Sequence, residues 1–97
     1  MPNFDIHAID EVIHGRLRLG VMAHLVGAGT ADFTALRDQL KATDGNLSVQ
    51  LRKLEEAGYV TIRKSFRARK PLTEVALTGA GRKAFLKYLD LMAGLLR

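Results

Sequence analysis

The chain has 97 residues, of which 47% are hydrophobic and 26% charged, and its formal net charge is +5. That length suits one domain with a modest core, of a size that often gains stability by association, and the composition excludes a disordered chain. The absence of cysteine excludes disulfides and thiolate metal sites, while the cation excess favours an anionic partner such as nucleic acid.

Residues 1–10 mix charge with apolar side chains and lack the apolar core of a signal peptide, and no apolar run approaches a membrane span. The expectation is a cytoplasmic protein with no membrane partner. Residues 9–26 read as a first helix, because Val12, Leu17, Leu19, Val21, Met22, Leu25 and Val26 recur at roughly helical spacing. Gly27-Ala28-Gly29 suits its stop. A second, shorter helix is predicted over residues 34–42, with Phe33, Leu36 and Leu40 on one buried stripe and Asp32 or Thr34 as its cap. Thr43 is the expected N-cap of a third helix, with Asp44 at the positive end of the dipole and Leu47, Leu51 and Leu54 along the inner side. Gly58 ends that helix. Residues 59–66 are rich in β-branched and aromatic side chains and read as a strand, residues 67–70 as a charged turn, and residues 71–77 as the return strand. Thr78 then caps a last helix over residues 79–96.

The order helix, helix, helix, hairpin, helix predicts a mainly α fold with a small β-hairpin: a winged helix-turn-helix. The whole chain, residues 1–97, is expected to be a single winged-helix domain. Residues 9–78 would form its core and residues 79–96 its C-terminal helix.

With the third-helix leucines inward, Asn46, Val49, Arg52 and Lys53 face away from the core, and Ser48 and Gln50 sit on its two shoulders. Amide, hydroxyl and cationic groups of this kind read base edges and phosphates in a major groove. The same residue types also occur on any solvated helix. The ribbon that follows adds weight to the functional reading. Arg63, Lys64, Arg67, Arg69 and Lys70 fall in a window without Asp or Glu, and Glu74 is the first acid beyond it. A cationic hairpin tip can reach phosphates or enter a minor groove. The bland alternative is a hairpin kept soluble by charge.

On the last helix, Phe85, Leu89, Met92 and Leu96 form one stripe and Tyr88, Leu91 and Leu95 a second beside it, with Leu86 and Ala93 flanking. An apolar arc this wide exceeds the roughly 100° stripe of a helix packed on one core. It predicts a homodimer interface of Phe85, Tyr88, Leu89, Leu91, Met92, Leu95 and Leu96. A twofold pair would favour a near-palindromic site.

His7, His14 and His24 lack the i, i+4 spacing of a helical metal site, although Asp10 and His14 stand one helical turn apart. "GAGRK" at Gly79 lacks the full spacing of a phosphate loop, and there is no nucleophile elbow. The expectation is a non-enzyme with no metal and no cofactor.

The segments "TDGNLSVQLRKLEEAGYVTIRKSF" and "ALTGAGRKAFLKYL" resemble the compact winged-helix transcriptional regulators related to the MarR and ArsR groups. "ADFTALRDQL" is similar to the family's second helix and "IHGRLRLGVMAHL" to its first. "LEEAGYV" alone recurs in many winged helices; joined to "DGNLS" and "LT-x-x-G-x-x-AF" it is specific. The resemblance implies a sequence-specific duplex-DNA-binding homodimer acting on promoters, and the role expected of it is that of a repressor. Asn46, Ser48, Val49, Gln50, Arg52 and Lys53 would be the recognition contacts and residues 63–70 the wing. A small effector at the dimer interface is a further expectation, with no ligand identified. The family's Thr-Thr-Tyr-like start of the second wing strand is replaced here by Leu72-Thr73-Glu74-Val75. Two other roles remain: a protein–protein interaction module, which the helix and wing cations disfavour, and an RNA-binding winged helix, disfavoured by the scarcity of aromatics for base stacking.

Overall fold

A computed structural model describes residues 5–96 of the chain, apart from the side chain of Leu96. Residues 1–4 of the stretch expected to lack a signal-peptide core, the Leu96 side chain of the expected dimer stripe, and Arg97 lie outside the described residues.

The first helix begins later than its apolar spacing suggests. A single 3-10 turn, Ile6–Ala8, leads into an irregular stretch, and α1 spans Arg16–Ala28. Asp10 diverts the chain. Its Oδ1 accepts from the backbone of Val12 at 2.9 Å and Ile13 at 3.2 Å, an Asx-type turn in place of a helical one. Ile13 is thereby fully buried while lying outside any helix. Although Asp10 and His14 stand four residues apart, the His14 side chain turns to another partner: its Nδ1 lies 2.8 Å from the Tyr88 hydroxyl.

Gly29 ends α1 at φ 82°, a left-handed conformation that glycine adopts freely. The chain then forms a strand that the sequence reading lacks. β1, Thr30–Asp32, pairs antiparallel with the return strand of the hairpin, and Asp32 goes on to cap α2, Phe33–Leu40, by accepting from Thr34 at 3.1 Å. A left-handed Lys41 closes α2 and Thr43 caps α3, Asp44–Glu56, by accepting from the Asn46 N–H at 3.1 Å. Across this turn Arg37 donates to Asp38 at 3.0 Å and to Asp44 at 2.8 Å. The two carboxylates, Asp44 foremost, raise the Arg37 pKa further above its ordinary value.

α3 stops in a Schellman arrangement. The Tyr59 N–H reaches the Leu54 carbonyl at 3.0 Å, the Gly58 N–H reaches Glu55 at 2.9 Å, and Gly58 sits at φ 81°. β2, Val60–Arg67, starts one residue later and pairs along its full length with β3, Lys70–Leu77. The strands therefore run into the stretch expected to be a charged turn, and the return strand forms despite its departure from the family pattern. The sheet is three-stranded, in the order β1-β3-β2. Thr78 caps α4, Gly79–Ala93, and a 3-10 turn, Gly94–Leu96, follows.

Val21, Met22, Leu25, Leu36, Leu47, Leu51, Leu54, Val60, Val75, Phe85 and Tyr88 join Ile13 in one core fed by all four helices and the sheet. Among the described residues no helix is long and apolar enough to cross a membrane. The first turn of α4 packs on the carbonyl of Tyr59. A Cβ at Gly81 would collide with that oxygen and approach Leu77 Cδ1 to 2.9 Å, whereas nothing lies within 4 Å of one at Gly79. Gly81→Ala should therefore cost about 1–3 kcal/mol by overpacking a backbone atom that cannot swing aside. Gly79→Ala, in the same turn, should be neutral or raise stability by up to about 1 kcal/mol. Denaturant melts of the two variants check the contrast.

The Tyr59 hydroxyl donates to Asp10 Oδ2 at 2.5 Å. That bond first, then burial and the charge of Asp10, pushes the Tyr59 pKa up to about 12. A folded-state pKa above the ordinary value of about 10 contributes stability that is complete below pH ~10 and is lost as pH rises towards about 12. Wild-type stability should fall through that window more steeply than that of Tyr59→Phe, measured by parallel melts from pH 8 to 12.

Candidate nucleic-acid interface

α3 turns three leucines inward, and the opposite side stays open. Asn46, Ser48, Val49, Arg52 and Lys53 are exposed, and Gln50 is half-buried. Val49 is 50% exposed in the middle of this polar face, where an apolar group has no fold to serve.

Strand alternation sorts the wing cations. Lys64 shares the α3-facing side of β2 with Ile62, while Arg63 and Arg67 take the other side. Lys70 stands opposite Arg67, and Glu74 stands opposite Arg63. Arg69 lies in the two-residue turn itself. Both turn residues are left-handed, Ala68 at φ 50° and Arg69 at φ 68°, as a primed hairpin turn requires, although neither is the glycine or asparagine that favours it. All five cations are exposed, and among the described residues none of them forms an ion pair; the pairs that exist belong to Arg37.

Helix and wing enclose a groove of about 670 Å³, walled by Ser48, Arg52 and Glu55 on the α3 side and by Ile62, Lys64 and Thr73 on the sheet side. Ser48, Arg52 and Lys64 are thus brought around one concave surface. Asn46 and Gln50 open instead onto a second concavity shared with Arg16 and Arg18 of α1. Lys53 lies beside Glu56 on the flank facing Glu11.

Two participants escape sequence reading. Arg18 donates from Nε to the Val12 carbonyl at 2.5 Å and from Nη1 to Gln50 Oε1, and Gln50 Nε2 donates to Asn46 Oδ1 at 3.2 Å. Arg18 sits on a different helix from the groups it holds, so no local pattern marks it. Phe66 is 75% exposed near the wing tip, directly across from Pro71 and on the same strand face as Lys64. It reads in sequence as an ordinary strand aromatic.

The expected dimer stripe divides. Phe85 and Tyr88 are buried within the chain, with their rings stacked at 6.3 Å, and Met92 is half-buried against the same core. Leu91 is half-buried. The apolar surface that α4 leaves open consists of Leu86, Leu89 and, just beyond it, Leu95, at 53%, 45% and 38% exposure.

Residues 17–96 match the winged helix DNA-binding domain family. The uncharacterised protein MJ0432 of Methanocaldococcus jannaschii is 35% identical over 79 residues, 81% of this chain and 86% of that one. A transcriptional regulator homologue from Pyrococcus horikoshii OT3 has a similar structure, with a TM-score of 0.85 at 29% identity over 90% of this chain and 86% of that one. Overoxidised AbfR, solved bound to DNA, shares the fold at a TM-score of 0.70 and 17% identity, over 79% of this chain and 58% of its own. The structural neighbours are MarR- and ArsR-type transcriptional regulators, as the resemblance of the sequence motifs implies. With the match running from α1 to the end of α4, the chain belongs to the winged helix DNA-binding domain family.

Proposed function

We propose that the chain is a sequence-specific transcriptional regulator that binds duplex DNA as a homodimer and acts as a repressor. α3 enters the major groove, with Asn46, Ser48, Val49, Gln50, Arg52 and Lys53 towards the bases and phosphates, and the wing holds the flanking backbone or minor groove. The observation that supports this most is the pairing of an open polar face on α3 with five exposed cations on the hairpin that form no ion pair among the described residues. Unpaired cations beside a helix of groove-reading side chains match the charge and donor pattern of a duplex. Val49 offers its methyl groups to a thymine methyl. The role is one of binding, without catalysis. The exposed Leu86, Leu89 and Leu95 support a dimer by offering apolar surface to a second copy, and a twofold pair would carry two recognition helices.

Binding to random-sequence duplex DNA across a salt series, with single-stranded DNA and duplex RNA as controls, tests the reading. Affinity for the DNA duplex should fall steeply as salt rises. No duplex binding at low salt would sink the proposal, and a preference for RNA or for a protein partner would replace it. Arg52→Ala and Asn46→Ala should each cost about 1–3 kcal/mol on a selected operator and much less on random DNA, while Arg69→Ala should weaken binding to both and flatten the salt slope by about 1.

The dimer is tested by mass in solution. Leu89→Glu places a charge on the open face of α4 and should convert a dimer to a monomer. Its melt should stay close to wild type, because the side chain is not part of the chain's own core.

A further inference from the structure

The outer face of α3 carries two amides, Asn46 and Gln50, one turn apart. An amide can face a base with its oxygen or its nitrogen, and the choice decides which bases it reads. A lone Asn or Gln reads adenine by using both at once, accepting from N6 and donating to N7. Here the choice is not open, because Arg18 of α1 reaches across to Gln50.

A guanidinium has donors only, so the Gln50 atom that faces Arg18 must be the oxygen. Gln50 Nε2 then points along the helix and donates to Asn46 at 3.2 Å, so the Asn46 atom facing it must also be an oxygen. The chain of bonds has one direction, from Arg18 to Gln50 to Asn46. Each amide oxygen already accepts one bond inside the protein and keeps one lone pair, whereas both Asn46 Nδ2 hydrogens and the second hydrogen of Gln50 Nε2 have no partner among the described residues, so donors outnumber acceptors on this face. Arg18 itself is anchored behind this line. Its Nε donates to the Val12 carbonyl at 2.5 Å, and the absence of a side chain at Gly15 leaves room for the guanidinium, which a Cβ there would strike.

We infer that Arg18 is a specificity-positioning residue: by fixing the direction of the Arg18–Gln50–Asn46 hydrogen-bond chain, it makes the amides of α3 present donors, so that they select a base edge made of acceptors. In the major groove that edge is guanine, with O6 and N7 side by side, and adenine is disfavoured because its N6 is a donor. This rests on the proposal that α3 reads the major groove.

Selection from randomised duplexes, with wild type and two variants, is the test. Wild type should enrich guanine at the base pair met by Asn46, with adenine there binding about tenfold more weakly. Arg18→Met keeps an aliphatic stem but frees the Gln50 amide to turn over, and that preference should shrink to near parity. Gln50→Glu leaves Arg18 its partner but can no longer donate, so Asn46 must turn its nitrogen inward and its oxygen out. The preferred base should then move to one offering a donor, adenine or cytosine. This second variant decides the matter even if Arg18→Met fails to fold. A change in base identity is a readout that simple loss of stability does not produce. If no duplex is enriched at all, the parent reading falls and this inference with it. If an operator is enriched but carries adenine at that pair, or carries guanine unaltered by Gln50→Glu, the directed chain alone is overturned.

Discussion

The junction at Gly58 and Tyr59 is the constraint on which the rest of the structure hangs. Gly58 takes the left-handed conformation that stops α3, and the Tyr59 N–H closes the Schellman turn on Leu54. One residue on, β2 begins. The carbonyl of Tyr59 accepts from the Thr78 N–H at 3.0 Å, and the Thr78 hydroxyl donates to the Gly58 carbonyl at 2.6 Å. The same hydroxyl accepts from Gly81 at 2.9 Å and caps α4. Two consecutive residues therefore fix the end of the third helix, the start of the hairpin and the first turn of the last helix. The Tyr59 side chain extends the junction to the N-terminal segment through Asp10.

Rigidity at this point explains why the open face of α3 and the cations of the wing keep one spatial relation. A flexible link would leave each to meet a partner separately, at an entropic cost for every segment ordered on contact. The joint instead holds Ser48 and Arg52 of α3 and Lys64 of the wing around a shared groove. The turn that leads into α3 is held in a complementary way. Arg37 neutralises Asp44, the acidic residue in the first turn of α3. Asp44 can thus favour the helix dipole while its charge, next to the face left open, is locally balanced.

Much of this was legible in the chain because it rests on local chemistry. Thr43 and Thr78 cap the helices they introduce, and the stretch from Leu54 to Tyr59 spells a helix stop followed by a strand. The parts that were not legible depend on residues far apart in sequence. β1 exists because the free edge of β3 is available to three extended residues, and nothing in Thr30–Asp32 announces a strand. The apolar spacing of Val12 and its neighbours suggested a helix that Asp10 overrides by hydrogen-bonding the backbone. The wide apolar arc of α4 was visible, but its division was not. Phe85 and Tyr88 serve the chain's own core, whereas Leu86 and Leu89 are left outside it. Arg18 shows the same limit within the candidate site: its partners lie on another helix.

The hairpin turn carries a consequence of its own. Ala68 and Arg69 both adopt left-handed backbone where Asn-Gly would be at ease. Substituting that pair would stiffen the tip, yet it would also delete the cation furthest from the body of the fold. Stiffness and charge therefore compete for the same two positions. The tip as it stands favours charge, so its amides should be among the first of the sheet to exchange with solvent, and the arginine at its apex should settle into a fixed pose only when an anion meets it.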